Sequence, residues 1–188
     1  MFSCQQMGHN LLPIVIDVEA SGVGAGSYPI EIGFVMPDGS SYCRLIKPYA
    51  NWTRWDTSAQ ELHQISPSDL QKAGHAPESV CRWLNKHLRG KTAYSDAWGN
   101  DMSWLGRLFD EADIPQLFHV ETITTLMTEA QMRDWAKVRQ SVLGRINAQR
   151  HRASIDARVI QMTYHYSQKG LVSFESRAQK FLREKLGK

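Results

Sequence analysis

Acidic side chains carry most of the chemistry that this sequence offers. Asp17-Val18-Glu19 closes the apolar run that starts at Leu11. If that run is a strand, period-two alternation turns Asp17 and Glu19 to the same side. Two carboxylates sharing one site repel and raise each other's pKa, so the pair is comfortable only beside a cation. Hard oxygen donors of this kind suit Mg²⁺ or Mn²⁺. A second pairing is His151-Arg152-Ala153-Ser154-Ile155-Asp156; among the 7 histidines only His151 has an aspartate five residues on. In a segment of helical character, that spacing lets imidazole and carboxylate look toward a common point from adjacent turns. Between the two lies Asp101, at the start of a helix that follows a strand, where its carboxylate faces the sheet edge at which the first strand ends. An acid at that position also fits plain helix N-terminal electrostatics. Imidazoles titrate near pH ~6.5 and so can accept a proton at neutral pH.

The elements that must position these groups can be read from the same sequence. Leu11 to Val18 is short and rich in Leu, Ile and Val, as a buried central strand is. Ile30 to Met36, the turn Pro37-Asp38-Gly39 and the alternating Ser41 to Ile46 continue it as an antiparallel meander. Helices are expected over Thr57 to Gln64, over Pro67 to Lys72 with Ser66 as N-cap, and over Pro77 to Arg89. A strand at Lys91 to Ser95 precedes a helix near Asp101 to Ala112, and a strand-like run at Leu117 to Val120 leads into a helical region ending about Gly144. Helices near His151 to Gln168 and Ser173 to Leu186 follow, which makes the chain an α/β sheet with helices packed on it. At 188 residues with 42% apolar and 22% charged side chains, one domain spanning 1–188 with a sizeable core is expected.

Other chemistries find no support. Gly22, Gly24 and Gly26 match neither the dinucleotide fingerprint nor the P-loop, and there is no G-x-S-x-G elbow. Cys4, Cys43 and Cys81 are widely spaced with no C-x-x-C pair, so a reducing, cytoplasmic setting is expected. The first basic residue is Arg44 and the apolar run at Leu11 is too short to span a bilayer, so neither a secretory signal nor a membrane partner is expected. The net charge of +3 excludes nothing, but its distribution is uneven: Arg133 to Arg158 holds seven basic residues against Asp134 and Asp156.

Taken together, the motifs resemble the DEDDh 3′-to-5′ exonucleases of the RNase H-like superfamily, the group of polymerase proofreading subunits, RNase T and oligoribonucleases. Ile14 to Gly22 (IVIDVEASG) and Pro29 to Val35 (PIEIGFV) are similar to the first motif and second strand, and Glu61 to Leu70 (ELHQISPSDL) to the loop after the meander. Asp101 to Leu105 resembles the second motif, and His151 to Ala157 (HRASIDA) the third. Where many members have His-Asn-Ala-x-Phe-Asp, this chain has Ser95-Asp96-Ala97-Trp98-Gly99-Asn100-Asp101, one residue longer. Asp96 and Asp101 are therefore both candidates for the second-motif ligand, with Asp101 favoured because Trp104-Leu105 follow it at the family's spacing.

The resemblance implies an RNase H-like exonuclease fold with a mixed five-stranded sheet. It implies two ions, Mg²⁺ or Mn²⁺, held by Asp17, Glu19, Asp101 and Asp156, with His151 as general base for hydrolysis of single-stranded DNA or RNA 3′ ends. Glu31 matches a family position with a structural or supporting role. Arg145, Arg150 and Arg152 flank the expected base where a phosphate backbone would pass, and Trp98 is the tryptophan best placed to stack on a base. The competing expectation is a catalytically idle nucleic-acid- or protein-binding module on the same fold.

Overall fold

The computed structural model describes residues 12–146 and 151–168. Cys4, Arg150 and the helix expected over Ser173 to Leu186 lie outside the described residues. Five strands form one mixed sheet: β1 (Ile14–Ala20), β2 (Pro29–Val35), β3 (Ser41–Leu45), β4 (Thr92–Ser95) and β5 (His119–Thr122), in the order β3-β2-β1-β4-β5. The β1–β2–β3 meander is antiparallel, whereas β4 runs parallel to β1 and β5 parallel to β4. Six α-helices, α1 (Thr57–His63), α2 (Pro67–Ala73), α3 (Pro77–Leu88), α4 (Trp98–Glu111), α5 (Glu129–Leu143) and α6 (Ala153–Ser167), and a short 3-10 helix over Ile123–Leu126 complete the described elements. Ser66 caps α2 through a reciprocal capping box with Asp69, and Thr128 caps α5 in the same way with Gln131. None of the helices among the described residues is long and apolar enough to cross a membrane.

The two faces of β1 do different work. Ile14, Ile16 and Val18 point to the face covered by α3 and α4, where they pack with Ile30, Ile32, Phe34, Leu84, Leu88, Leu105 and Leu108 in the main core. Fully burying one such side chain is worth roughly 1.5–3 kcal/mol. Val15, one residue out of phase, points to the opposite face and packs with Val35, Ala157 and Ile160 beneath α6. Asp17 and Glu19 share the parity of Val15, so the alternation that fills the core also places both acids on the α6 side.

Two local features determine how α6 reaches them. Gly33 is the register partner of Asp17 across β1 and β2. A Cβ at Gly33 would lie 2.2 Å from the backbone nitrogen of Ser154 and 2.4 Å from the carbonyl carbon of Ala153. The first turn of α6 therefore rests directly on the backbone of β2, next to Asp17, and only glycine permits the approach. Gln161 then ties α6 to the sheet, donating from its amide nitrogen to the carbonyls of Pro13 and Met36 at 2.9 Å each.

Three of the differences from the expected boundaries bear on the site. β1 runs on to Ala20, so both acids lie within the strand. α4 starts at Trp98, three residues before Asp101, because Ala97 turns the chain without a side-chain cap. α6 starts at Ala153 rather than at His151: the histidine has φ 59°, a left-handed conformation that no helical residue adopts.

Candidate active site

β1 pairs with β4 only through Ile14↔Ala93 and Val15↔Tyr94, after which the two strands diverge. The opening lies at the carboxyl ends of both strands, the usual place for a ligand in a sheet of this kind. Asp101, in the first turn of α4, enters this gap and is only 1% exposed. Its carboxylate accepts a hydrogen bond from the Ser95 hydroxyl and another from the Val18 backbone N–H. Ser95 Oγ in turn accepts from the Ala97 N–H at 3.0 Å, so one hydroxyl holds both the acid and the turn that starts α4.

On the other side of the gap, α6 and the residue before it supply Asp156 and His151. Ligand atoms of Glu19, His151 and Asp156 all lie within 4.8 Å of one another. This arrangement is held by Glu31, the register partner of Glu19, whose carboxylate is fully buried. Glu31 accepts from the Ala153 N–H at 2.9 Å, and from Arg152 Nη2 at 2.6 Å and Nε at 3.0 Å. The acid satisfies an otherwise orphaned amide at the helix start, and its negative charge suits the positive end of the helix. Arg152, expected on a phosphate path, is instead committed to Glu31.

The five sequence-derived residues Asp17, Glu19, Asp101, His151 and Asp156 line one cavity of about 330 Å³, together with Asp96, Asn100, Trp104 and Arg139. Burial, followed by the charges of Asp101, Glu19, Asp156 and Asp96, pushes the Asp17 carboxyl well above the ordinary aspartate range. Glu19 is pushed up to about 7, first by burial and then by Asp156, Glu31 and Asp101, with Arg152 pulling the other way. Asp101 is also raised to about 7 by burial, against the hydrogen bonds from Ser95 and Val18. So many acids held this far from their ordinary ionisation make a site that divalent cations would relieve. The four carboxylates offer hard oxygen donors, which suit Mg²⁺ or Mn²⁺, and the His151 imidazole stands beside them.

Asp96 and Asp101 both reach the cavity, but in different states. Asp96 is ion-paired with Arg139 of α5, while Asp101 sits among neutral donors at the strand ends. Ser95, Asn100 and Arg139 are cavity or supporting residues that the motifs did not single out. Arg145 places its guanidinium 5.9 Å from the ring centre of Tyr166. Trp83 and Trp104 pack against the core as their apolar faces suggest, whereas Trp98 is 45% exposed. His63, 2% exposed, accepts from the Ile65 N–H at Nδ1, and its Nε2 is the one buried side-chain polar atom without a partner among the described residues.

No family model matches the chain, and no curated protein matches its sequence. Solved structures do match in fold. E. coli exonuclease I in complex with a dT13 oligonucleotide superposes with a TM-score of 0.62 at 11% identity, over 90% of this chain and 43% of that one. The zinc-bound form of the E. coli exonuclease I complex with single-stranded DNA gives 0.60 at 12% identity, over 82% and 39%. Exonuclease I from Methylocaldum szegediense gives 0.51 at 12% identity, over 68% and 30%. The chain thus spans less than half the length of these exonucleases. The fold is the RNase H-like exonuclease fold, a mixed five-stranded sheet flanked by helices.

Proposed function

We propose that this protein is a metal-dependent 3′-to-5′ exonuclease of the DEDDh type acting on single-stranded DNA or RNA ends. The observation that carries the reading is the cavity in which three separated motifs place four carboxylates and a histidine together. The oligonucleotide-bound exonuclease I structures of the same fold support it.

Asp17, Glu19, Asp101 and Asp156 would hold two Mg²⁺ or Mn²⁺ ions. Such ions, when bound, supply positive charge to the phosphate and to the departing oxygen. The chain's own residues do the rest. Glu19 and Asp156 line the wall beside His151, where the attacking water would stand, and an imidazole nitrogen of His151 takes its proton. The water oxygen would bond to phosphorus as the bond to the 3′ oxygen of the preceding nucleotide breaks on the Asp101 side, and that oxygen would leave as an alkoxide that takes a proton from solvent to become the 3′ hydroxyl, while the proton held by His151 returns to solvent. The products are a 5′-mononucleotide and a strand one residue shorter.

End-labelled DNA and RNA oligonucleotides incubated with Mg²⁺ or Mn²⁺ test this directly. A ladder shortening from the 3′ end is expected, and Asp17→Ala should abolish it while keeping the circular dichroism of the folded protein. Full activity in that variant would overturn the metal reading. Strand binding without cleavage by the unmodified protein would make the chain a binding module.

A further inference from the structure

Among the described residues five carboxylates line the cavity, Asp17, Glu19, Asp96, Asp101 and Asp156, although the chemistry of hydrolysis employs four. The fifth, Asp96, directly follows β4, and its main chain is pinned on both sides: buried Ser95 is bonded to Asp101, and the Ala97 N–H donates to Ser95 Oγ at 3.0 Å. Its charge adds to the repulsion that raises Asp17 and Asp101. Arg139 answers that charge. It is the one lysine or arginine lining the cavity among the described residues, and it pairs with Asp96 from α5, with 31% of its own side chain and 17% of the Asp96 side chain exposed. Helix α5 is seated by other means, through the Thr128 cap and through Val138 and Val142 packed with Val159 of α6. The guanidinium is therefore delivered to the cavity edge by a helix anchored independently of the acids, and it keeps its charge at any working pH.

With every acid ionised, five carboxylates and one guanidinium leave four negative charges in the cavity, the number that two divalent ions neutralise. The Glu31–Arg152 pair on the α6 side is built alike, but Glu31 does not line the cavity, whereas Asp96 does. On the metal-dependent exonuclease reading, we infer that Arg139 withholds Asp96 from the ions, so that Asp101 is the sole ligand of the second motif and the site is balanced for two. Arg139 is thus a positioning residue that acts through Asp96. Its loss frees a fifth hard oxygen donor and tightens the hold on the ions. The loss of Asp96 instead leaves an uncompensated cation beside them and loosens it.

Mn²⁺ binding to the full chain without substrate, followed by the electron paramagnetic resonance signal of the free ion, tests the pair apart from catalysis. Arg139→Gln should tighten Mn²⁺ binding and Asp96→Asn should weaken it, each by about tenfold. The double variant Asp96→Asn with Arg139→Gln should return to within about threefold of the unmodified protein, because each change removes what the other left unbalanced. Arg139→Lys keeps the charge and should stay within the same about threefold range. Opposite signs in the two single variants are what a structural role does not produce: a loosened α5 would weaken binding in Arg139→Gln as well, and that result would overturn the inference. So would a double variant as weak as Asp96→Asn alone, which would make Asp96 a ligand in its own right, and so would equal affinities in every variant. If neither the unmodified protein nor any variant binds Mn²⁺, the metal-dependent reading itself fails and the role of the pair goes with it. Binding in the wrong order of affinities leaves that reading standing and removes only the role of Arg139.

Discussion

The two walls of the cavity are built by opposite means. Asp101 is fixed locally, by a hydroxyl six residues away and by the amide of Val18 in the adjoining strand. His151 and Asp156 are fixed at a distance, through Glu31 on β2 and through the contact of Gly33 with the first turn of α6. The first wall depends on a few hydrogen bonds, each replaceable at a modest cost. The second depends on packing between elements more than a hundred residues apart in sequence, where one extra atom has no place to go. Damage to the first wall should therefore stay local, whereas damage to the second should spread to every residue that α6 carries.

The largest effect is expected where the second wall meets the chemistry. His151→Ala should lower kcat roughly 10²- to 10⁴-fold while leaving Mn²⁺ affinity, read by calorimetry, close to that of the unmodified protein. A tenfold loss of metal affinity instead would make His151 a ligand. Gly33→Ala comes next: a methyl 2.2 Å from Ser154 N must displace α6, at a cost of roughly 3 kcal/mol or more in chemical unfolding, and activity should fall with it. If stability and activity were both retained, the two walls would not differ as described.

Proton linkage gives the third expectation. Glu19 and Asp101 are raised to about 7 in the folded, metal-free protein, whereas in the unfolded chain they titrate near the ordinary carboxyl values of 4.5 and 3.8. Between those limits the folded state holds protons that the unfolded state has released, so stability must fall as pH rises from about 4 to about 7. Glu19 alone accounts for a loss on the order of 3 kcal/mol. Thermal unfolding in chelator should show this decline, and saturating Mn²⁺ should flatten it; a metal-free Tm rising over the same range would contradict the assignment. The smallest effect belongs to the first wall. Ser95→Ala removes one donor from Asp101 and should cost about 1–2 kcal/mol with α6 undisturbed, as judged by unchanged amide shifts along 153–167.

Much of this was legible in the sequence because it follows from period. The meander, the shared face of Asp17 and Glu19, and the helix after β4 all rest on alternation and on turn residues, which act over a few positions. Ser66 as N-cap of α2 was readable for the same reason. His151 was not placed correctly, since a histidine beside a helical pattern gives no sign that its own φ is positive. The Glu31–Arg152 pair and the Asp96–Arg139 pair were also hidden, because ion pairs between distant segments leave no spacing to detect. Gly33 did leave a trace. An isolated glycine inside the apolar run PIEIGFV is a sign of close backbone approach, and it marks the place where α6 lands.

The divergence of β1 from β4 leaves the Val18 amide bonded to a titrating side chain rather than to a neighbouring strand. A neutral carboxyl accepts a hydrogen bond more weakly than a carboxylate does. The Val18 amide resonance should therefore follow the protonation of Asp101, with a midpoint near 7 in chelator, and lose that titration when cations hold the acid ionised. One backbone nucleus in the central strand thus serves as a built-in spectroscopic gauge of whether the site is charged, readable without substrate and without altering a residue.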